Sequence, residues 1–458
     1  MEYKYIDDIV KELLNGTFSV FCGAGADYDA TKAGWENLFT DKTQEFYKRN
    51  FSYDMYFLAD LEKRYINSKS FLADIHNKLS QYSDLESEHI NNIVNLNINQ
   101  IWTTNFDCII ENTVKRELGI EPKVIEKSND VLENGLNFPY TIYKLNGSLG
   151  VPDNNNTMVL TKTDFFDYFE KQRLLFEMLK RQLVLDTFLF VGYSFTDDLV
   201  LSALREIRKI FPNNGKVHYR FLTETSDPLR KEYDELESKY YKEEYNIETI
   251  PINDFPDIDK YLKKLYHRFC NHNVFIAGSF RQLKNNEERI YIEQLVRSII
   301  QKLTANHFSI YSGNGRGLGE IVVAQVSDSG VESQFVNRPL IFTGDDAKQK
   351  ERKNRLIMKD CDTMIIICGQ DDRLGASSNV INQFSTFMQH DENREYPLVI
   401  PIPSTGYAAE KIYHSEEFKE STVYRTNQEA FDKLETENIE TITNIVVNLI
   451  CTYKSENS

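Results

Sequence analysis

The sequence predicts an α/β protein made of two doubly wound, Rossmann-like domains with parallel sheets, the first carrying a helical insertion. Short apolar runs end repeatedly in glycine or small polar residues and are followed by segments of helical periodicity, as in parallel βα units. The same pattern restarts near Cys270, after one complete set of such units. The first domain is therefore predicted at residues 1–269 and the second at 270–458.

The first buried strand is predicted at residues 18–22, where an apolar run stops at Gly23-Ala24-Gly25 and Asp27 follows. Glycine has no Cβ, so backbone N–H groups in such a turn can approach a pyrophosphate and the chain can adopt positive φ. A lone Gly-x-Gly is also common where only the turn geometry matters. This run alone leaves both roles open.

Three later runs end in the same way: residues 101–107 (IWTTNFD), 143–148 (YKLNGS) and 188–197 (FLFVGYSFTD). Ligands of open parallel sheets bind at the carboxyl ends of the strands. Four such strand ends along one chain therefore predict one shared crevice in the first domain.

Helices are predicted around these strands. Residues 5–14 place apolar side chains on one helical face, and residues 54–95 form a helical, charge-rich span that interrupts the alternation of strands and helices. That span is predicted to be an inserted helical subdomain. Strands at 217–222 and 245–250, each followed by a helix, complete the first domain.

The second domain begins with residues 274–279 (VFIAGS), a buried strand ending in Gly278 and Ser279. A second strand at 308–311 leads into residues 312–319 (SGNGRGLG), with glycine at every second position from 313 to 319. This spacing before a helix indicates anion binding more strongly than a single glycine turn does. Residues 439–453 are predicted to be an apolar C-terminal helix, which either joins the core or forms an oligomer face.

Composition excludes several classes of partner. Acidic residues outnumber basic ones by 70 to 53, giving a formal charge of −17, which disfavours binding to a nucleic acid backbone. The sequence has no apolar run long enough for a membrane span and no secretory leader, so a cytoplasmic location is expected. The six cysteines are scattered and lack C-x-x-C spacing, as expected of reduced thiols without a metal site.

The motifs GAGAD, TTNFD, K-L-x-G-S and VGYSFTD, in this order, resemble the sirtuin-like NAD-cleaving domain of bacterial antiphage effectors. The resemblance implies that NAD+ is the substrate and that it is cleaved to nicotinamide and ADP-ribose without a metal. Protein-deacylating sirtuins carry a zinc module of two C-x-x-C pairs. Because this sequence has no such pair, protein deacylation is disfavoured.

The resemblance also implies roles for individual residues. Asn105 matches the catalytic asparagine, whose amide can hold a ribose hydroxyl or a water beside C1′ of the nicotinamide ribose. Capping of the following helix, predicted to begin at Asp107, is the alternative role of Asn105. The implied contacts with NAD+ are Gly23, Ala24, Gly25, Asp27, Asn105, Asp107, Gly192 and Ser194.

Two positions of the first domain depart from the family pattern. Asn146 stands where the family has a histidine that takes a proton from the ribose, and a neutral amide cannot act as that base. The chain is therefore expected to bind NAD+ but cleave it poorly. Either a natural variant has lost its base or a histidine has been replaced by engineering, and the intact neighbouring motifs favour replacement. Asp27 stands where serine is usual, placing a like charge near the expected pyrophosphate.

The second domain resembles SLOG domains, which sense nucleotide-derived signals, and the two domains together resemble the effectors of the Thoeris antiphage system. In that family a cyclic ADP-ribose isomer, made by a partner TIR-domain protein, binds the second domain and activates NAD+ cleavage in the first. The resemblance also implies a homotetramer, for which the insertion at 54–95 and the C-terminal helix offer apolar surface.

The predicted effector contacts lie at the strand ends and on basic segments of the second domain. They are Gly278, Ser279, Gly313, Gly315, Gly317, Arg352, Arg355 and Arg373. For the arginines, contact with the phosphates of the effector competes with a simple solvated helix face. SLOG relatives that hydrolyse nucleotides carry P-G-G-x-G-T, whereas residues 369–376 read GQDDRLGA, so binding is favoured over hydrolysis.

Two functions of different classes remain open. One is an effector-gated NAD+ hydrolase, and the other is a catalytically silent nucleotide sensor or scaffold that keeps the fold. The residue at position 146 is the feature that separates them.

Overall fold

The computed structural model describes residues 3–52, 54–134, 139–148, 158–195, 198–212, 215–339, 347–371, 373–389 and 397–456. Thr196 and Asp197 of the predicted VGYSFTD motif lie outside these residues. The chain divides into two compact units, Met1–Leu265 and Tyr266–Ser458.

The first unit contains a parallel sheet of seven strands within its described residues, in the order β3-β4-β2-β1-β5-β6-β7. The strands are β1 Phe18–Cys22, β2 Gln100–Thr103, β3 Lys123–Ile125, β4 Thr141–Lys144, β5 Thr187–Val191, β6 His218–Thr223 and β7 Ile247–Ile252. Every residue of β1 and β5 is buried, as expected for central strands covered on both faces.

Helices surround this sheet. The α-helices are Ile6–Leu14, Tyr28–Thr31, Asp41–Lys48, Met55–Leu61, Phe71–Ser80, Glu88–Asn95, Ile109–Leu118, Ser128–Asn134, Lys162–Lys171, Arg173–Leu185, Asp198–Ile210, Pro228–Tyr245 and Pro256–Cys270. A 3₁₀ turn covers Trp35–Leu38 and a π-helical turn covers Glu62–Ile66.

The second unit contains a parallel sheet of five strands within its described residues, in the order β10-β9-β8-β11-β12. The strands are β8 Asn273–Ala277, β9 Ser309–Ser312, β10 Phe335–Asn337, β11 Thr363–Ile366 and β12 Leu398–Pro401. The α-helices are Asn286–Ala305, Leu318–Ser329, Ala347–Met358, Ser378–Met388, Tyr407–Tyr413, Glu416–Lys419, Thr422–Thr426, Gln428–Asp432 and Ile439–Glu456, with 3₁₀ turns at Glu332–Gln334 and Pro403–Thr405.

These two parallel sheets confirm the predicted fold class. The predicted insertion is helical, and the helical region begins earlier than expected, with Asp41–Lys48. The short strands β3 and β10 were not predicted, because three residues are too few to show an alternation or an apolar run.

The C-terminal helix Ile439–Glu456 belongs to the core of the second unit. Its side chains Ile442, Val446 and Ile450 are fully buried, and it packs along the helix Asn286–Ala305. The sequence left two roles open for this helix, packing in the core and forming an oligomer face. The structure supports packing in the core. Among the described residues, no helix is both long enough and apolar enough to cross a membrane.

A buried ion pair connects the helix Glu88–Asn95 to the first turns of the helix Pro256–Cys270. His89 Nδ1 lies 2.8 Å from Asp259 Oδ2, and Asn92 Nδ2 donates to Asp259 Oδ1 at 2.8 Å. Burial lowers the pKa of His89, but the hydrogen bond to Asp259 and its charge outweigh burial, so this pKa is raised.

This pair predicts a pH dependence of stability. Its contribution should be complete below the pKa of an unfolded histidine, about 6.5, and should be lost as pH rises through the higher folded-state pKa, where the imidazole gives up its proton. Asp259→Asn should flatten this part of the profile of melting temperature against pH, whereas Asp254→Asn, at an exposed carboxylate nearby, should not. Identical profiles for Asp259→Asn and the parent would contradict the assignment.

Candidate active site at the carboxyl ends of the first sheet

The first sheet has its topological switch point between β1 and β5. β2, β4 and β3 lie on one side of β1, and β5, β6 and β7 lie on the other. Loops leaving two such strands diverge and leave a crevice, the usual place for a ligand in an open parallel sheet. Here the loops are residues 23–27 after β1 and residues 192–194 after β5.

These two loops are in close backbone contact, and glycine is needed for it. Gly192 has φ +62°, and a Cβ there would lie 2.0 Å from the backbone nitrogen of Ala26. The N–H of Gly25 donates to the oxygen of Gly192 at 2.9 Å, and the N–H of Gly23 donates to that of Val191 at 2.9 Å. We expected these N–H groups to approach a pyrophosphate, but in this structure both are engaged within the protein.

Asn105 follows the end of β2 and is buried. Its Nδ2 donates to Asp27 Oδ2 at 2.9 Å, and its backbone N–H donates to Thr103 Oγ1 at 2.9 Å. Among the described residues, Asn105 Oδ1 has no hydrogen-bond partner. The side chain is thus fixed through its amide nitrogen, while its carbonyl oxygen is buried without a partner among these residues.

The alternative role of Asn105 as a helix cap is not what the structure shows. Asp107 Oδ1 accepts from the N–H of Ile109 at 3.0 Å, and the helix begins at Ile109 instead of the predicted Asp107. A carboxylate at this position satisfies one of the free N–H groups of the first turn. Asp107 therefore caps the helix, and Asn105 does not have to.

Asp27 and Asp107 form a buried pair of carboxyl groups. Burial raises the pKa of Asp27 well above its usual value, and the charge of Asp107 and a hydrogen bond to that residue raise it further. Asp27 turns towards Asn105 and Asp107, and its raised pKa favours the neutral carboxyl, which would present less charge to a phosphate.

A second buried ion pair holds the ends of β2 and β4 together. Lys144 Nζ lies 2.8 Å from Glu111 Oε1 and also donates to the backbone oxygen of Asp107. Burial lowers the pKa of Lys144, but the charges of Glu111 and Asp107 outweigh it and raise that pKa. Two residues later, Asn146 is buried, and its backbone oxygen accepts from the N–H of Val159 at 2.9 Å.

A cavity of about 1270 Å³ covers these strand ends. It exceeds the roughly 300–1,000 Å³ of most small-molecule sites, as a dinucleotide would require. The predicted residues that line it are Ala24, Gly25, Asp27, Asn105, Asp107, Asn146, Gly192 and Ser194. Gly23 is not among the described lining residues. Its position is set by the contact between the two loops, since a Cβ there would lie 2.6 Å from Gly192 O.

The cavity also has walls that the motifs did not indicate. The 3₁₀ turn Trp35–Leu38 contributes Trp35, and the helical insertion contributes Tyr56 and Tyr82. The rings of Trp35 and Tyr56 are in edge contact at 4.4 Å. The opposite end contains Arg220, which pairs with Glu237 at 2.9 Å. Trp35 both lines the cavity and packs against Tyr56. Arg220 lies within β6 and not at its carboxyl end, so the rule that found the other strand ends does not point to it.

In the second unit, the loops after β8 and β9 meet close to β11. Gly278 has φ +152°, and a Cβ there would lie 1.9 Å from the oxygen of Ile367. A Cβ at Gly315 would lie 2.1 Å from the oxygen of Gly278. Gly317, with φ +74°, precedes the helix Leu318–Ser329, which begins two residues earlier than predicted. The structure thus brings Gly278, Gly315 and Gly317 together.

Gln370 holds the loop after β8 to the loop after β11, a role that the sequence did not predict. Its Oε1 accepts from the N–H groups of Arg281 and Gln282 at 3.0 Å each, and its Nε2 donates to the oxygen of Gln282 at 2.8 Å. Ser279 Oγ donates to the backbone oxygen of Gln370 at 3.0 Å. A buried amide that uses both ends in this way fixes the loop after β8 relative to the loop after β11.

The predicted basic residues Arg352, Arg355 and Arg373 are exposed. Arg355 Nη2 donates to Glu351 Oε1 at 2.9 Å and to Gln389 Oε1 at 3.2 Å. Gly313 lies at the end of β9, where a Cβ would lie 3.2 Å from the side chain of Ile357. Effector contact by these four residues stays a prediction. Within the described ranges, no group of three or more His, Cys, Asp or Glu side chains is placed to hold a metal ion.

Comparison with known proteins identifies both parts of the chain. Residues 99–250 match the SIR2-like domain, and residues 257–453 match the Sir2- and TIR-associating SLOG family. The chain is also similar to NAD(+) hydrolase ThsA of Bacillus cereus strain MSX-D12, with 26% identity over 91% of this chain and 90% of the relative. The chain is a ThsA-type protein.

Two further relatives support this. The ThsA-type chain is 24% identical to NAD(+) hydrolase ThsA of Enterococcus faecium over 92% of each chain. It is 25% identical to NAD(+) hydrolase ThsA of Acinetobacter baumannii strain 532279 over 94% of each chain. The predicted resemblance to Thoeris effectors with a sirtuin-like and a SLOG domain is therefore confirmed.

The buried carboxyl pair of this ThsA-type protein predicts a measurable cost in stability. The raised pKa of Asp27 means that its contribution to stability is complete below the unfolded pKa, about 3.9, and is lost as pH rises through the folded-state value. Asp27→Asn keeps the size and removes the charge. Its melting temperature should match that of the parent in acid and exceed it increasingly as pH rises.

Thermal unfolding followed over a pH series checks this expectation. Asp41→Asn, at an exposed acid in the same domain, serves as the control and should follow the parent throughout. A melting temperature for Asp27→Asn that falls below the parent's at neutral pH would show that the carboxylate is stabilising there.

Proposed function

We propose that the chain is an NAD+ hydrolase that converts NAD+ to nicotinamide and ADP-ribose in the SIR2-like domain. A cyclic ADP-ribose isomer bound to the SLOG domain would activate it in antiphage defence. The observation that carries the proposal is the side chain of Asn105, buried at the floor of a dinucleotide-sized cavity with its carbonyl oxygen unpaired among the described residues. The names of the relatives given above agree with this activity.

Hydrolysis breaks the bond between C1′ and the nicotinamide nitrogen, and the bonding electrons leave with nicotinamide. The oxygen of a water then bonds to C1′, and its proton must pass to an acceptor. Asn105 Oδ1 can accept a hydrogen bond from the ribose or from this water. Asn146, which lines the same cavity, can orient a hydroxyl but cannot take its proton, since an amide has no useful pKa near neutrality.

The form with Asn146 is therefore proposed to bind NAD+ and to release nicotinamide slowly. Asn146→His should raise the turnover number by about 10²–10⁴-fold, the usual contribution of a general base, with a smaller change in KM. Nicotinamide release, measured with and without cyclic ADP-ribose isomers, checks this.

Two outcomes would contradict the proposal in different ways. Rapid release by the parent chain would show that position 146 is not the site of the missing base. No release by Asn146→His under any condition, with NAD+ still bound, would favour the silent sensor or scaffold. Asn105→Ala combined with Asn146→His is the matched control and should return turnover to the parental level.

Regulation is proposed to act through the second domain. Its glycine loops after β8 and β9, held together near β11, are proposed to bind the effector's phosphates through the backbone, with exposed arginines of the same unit adding charge-assisted bonds. A TIR-domain protein is proposed as the source of the cyclic ADP-ribose isomer. By linkage, NAD+ and the effector must alter each other's affinity by the same factor.

Arginine variants test the effector site. Arg355→Ala and Arg373→Ala should each weaken binding of a cyclic ADP-ribose isomer by roughly tenfold or more, as expected for loss of a hydrogen bond to a charged group. Arg425→Ala, at an exposed arginine of the same unit away from the strand ends, should have no effect. Calorimetry on the full chain measures all three. Unchanged affinity in both test variants would remove these arginines from the site.

A cytoplasmic homotetramer is proposed as the working form, on the basis of the resemblance. A closed assembly would allow effector binding to shift the packing of neighbouring chains between two states. The mass of the purified chain by light scattering tests this part of the proposal independently of catalysis.

A further inference from the structure

The helix Pro228–Tyr245 presents an apolar stripe to solvent. Leu229, Tyr233, Leu236 and Tyr240 are 75%, 53%, 63% and 49% exposed. Their spacing of four, three and four residues places all of them on one side of an α-helix. The opposite side, with Asp234, Tyr241 and Tyr245, is buried against the first unit. Scattered exposed apolar residues are ordinary, whereas an aligned row of four on one helix marks an interaction surface.

We propose that this stripe is a two-fold interface between copies of the chain, in which the helix Pro228–Tyr245 pairs antiparallel with its counterpart. The proposal rests on the homo-oligomer included in the proposed function and names the surface that builds it. In a two-fold contact the same patch must complement itself. An antiparallel alignment centred between Asp234 and Glu235 meets this condition, because Leu229 then faces Tyr240 of the partner subunit and Tyr233 faces Leu236 of the partner subunit.

The charges beside the stripe select this orientation. Glu232 and Lys239 are both exposed and lie seven residues apart, about two helical turns, so they flank the same edge of the stripe. In the antiparallel pair Glu232 faces Lys239 of the partner subunit, and symmetry repeats the contact. The pattern therefore favours self-association in the antiparallel sense.

The area of the patch determines how strongly two copies are expected to associate. A stable interface buries roughly 800 Å² on each partner, more than four side chains supply alone, so the flanking polar residues must contribute and the association should depend on concentration. The same helix borders the cavity on another of its sides, where Arg230, Asp234 and Glu237 line it. Pairing of these helices would consequently constrain one wall of the NAD+ site.

Charge reversal on the full chain tests the interface. Glu232→Lys and Lys239→Glu each create like-charge contacts across the two-fold axis and should raise the dissociation constant by roughly tenfold or more. The double reversal keeps the composition of the parent and should recover most of the loss. Leu236→Lys should lower the mass as well. Ile210→Lys, at a 69% exposed residue on another helix, is the control and should leave the mass unchanged.

Sedimentation across a wide concentration range, with melting temperatures to confirm folding, gives the readout. An oligomeric parent whose mass is unaffected by Leu236→Lys and by both single reversals would overturn the interface while leaving the proposed oligomer intact. This is also the result expected if a different protein occupies the face. A parent that is monomeric at every concentration would overturn both. Failure of the double reversal to recover the mass would overturn the antiparallel pairing.

Discussion

The close contact between the loops after β1 and β5 is the constraint on which the candidate active site depends. Gly192 and Gly25 approach so closely that no side chain fits between them, and their backbone groups hydrogen-bond to each other. This contact closes the switch point of the sheet and forms the floor of the cavity. The glycines here serve the protein's own packing, and the space for a ligand lies above them.

Above this floor, the polar groups restrain one another. Asp27 holds the amide nitrogen of Asn105, Asp107 caps the following helix, and Lys144 binds both the Asp107 backbone and Glu111. Burial of these groups is costly, and the cost is offset only because each has a partner. The result is a connected arrangement in which the side-chain oxygen of Asn105 has no hydrogen-bond partner among the described residues. Preorganisation of this kind is what a site for a charged dinucleotide needs.

Much of the fold was accessible from the sequence because buried parallel strands are continuous apolar runs that end in recognisable turns. The predicted residues at the ends of β1, β2, β4 and β5 do share one cavity. Contacts between distant residues could not be foreseen. Three features depend on three-dimensional proximity, which no local pattern encodes. They are the hydrogen bond between Asp27 and Asn105, the hydrogen bonds by which Gln370 holds two loops together, and the position of Arg220 in the cavity wall. The short edge strands β3 and β10 were not predicted, because three residues show neither an alternation nor an apolar run.

The position of β1 at the centre of its sheet has a consequence for biosynthesis. Its neighbours are β2, which pairs Val20 with Ile101, and β5, which pairs Phe18 with Thr187. A nascent chain must therefore keep an apolar strand with two unpaired edges until residues far downstream have left the ribosome. Such long sequence separations slow folding and expose strand edges to aggregation. The helix Ile6–Leu14, which is synthesised before β1 and packs against it, is the first structure that can shield this strand.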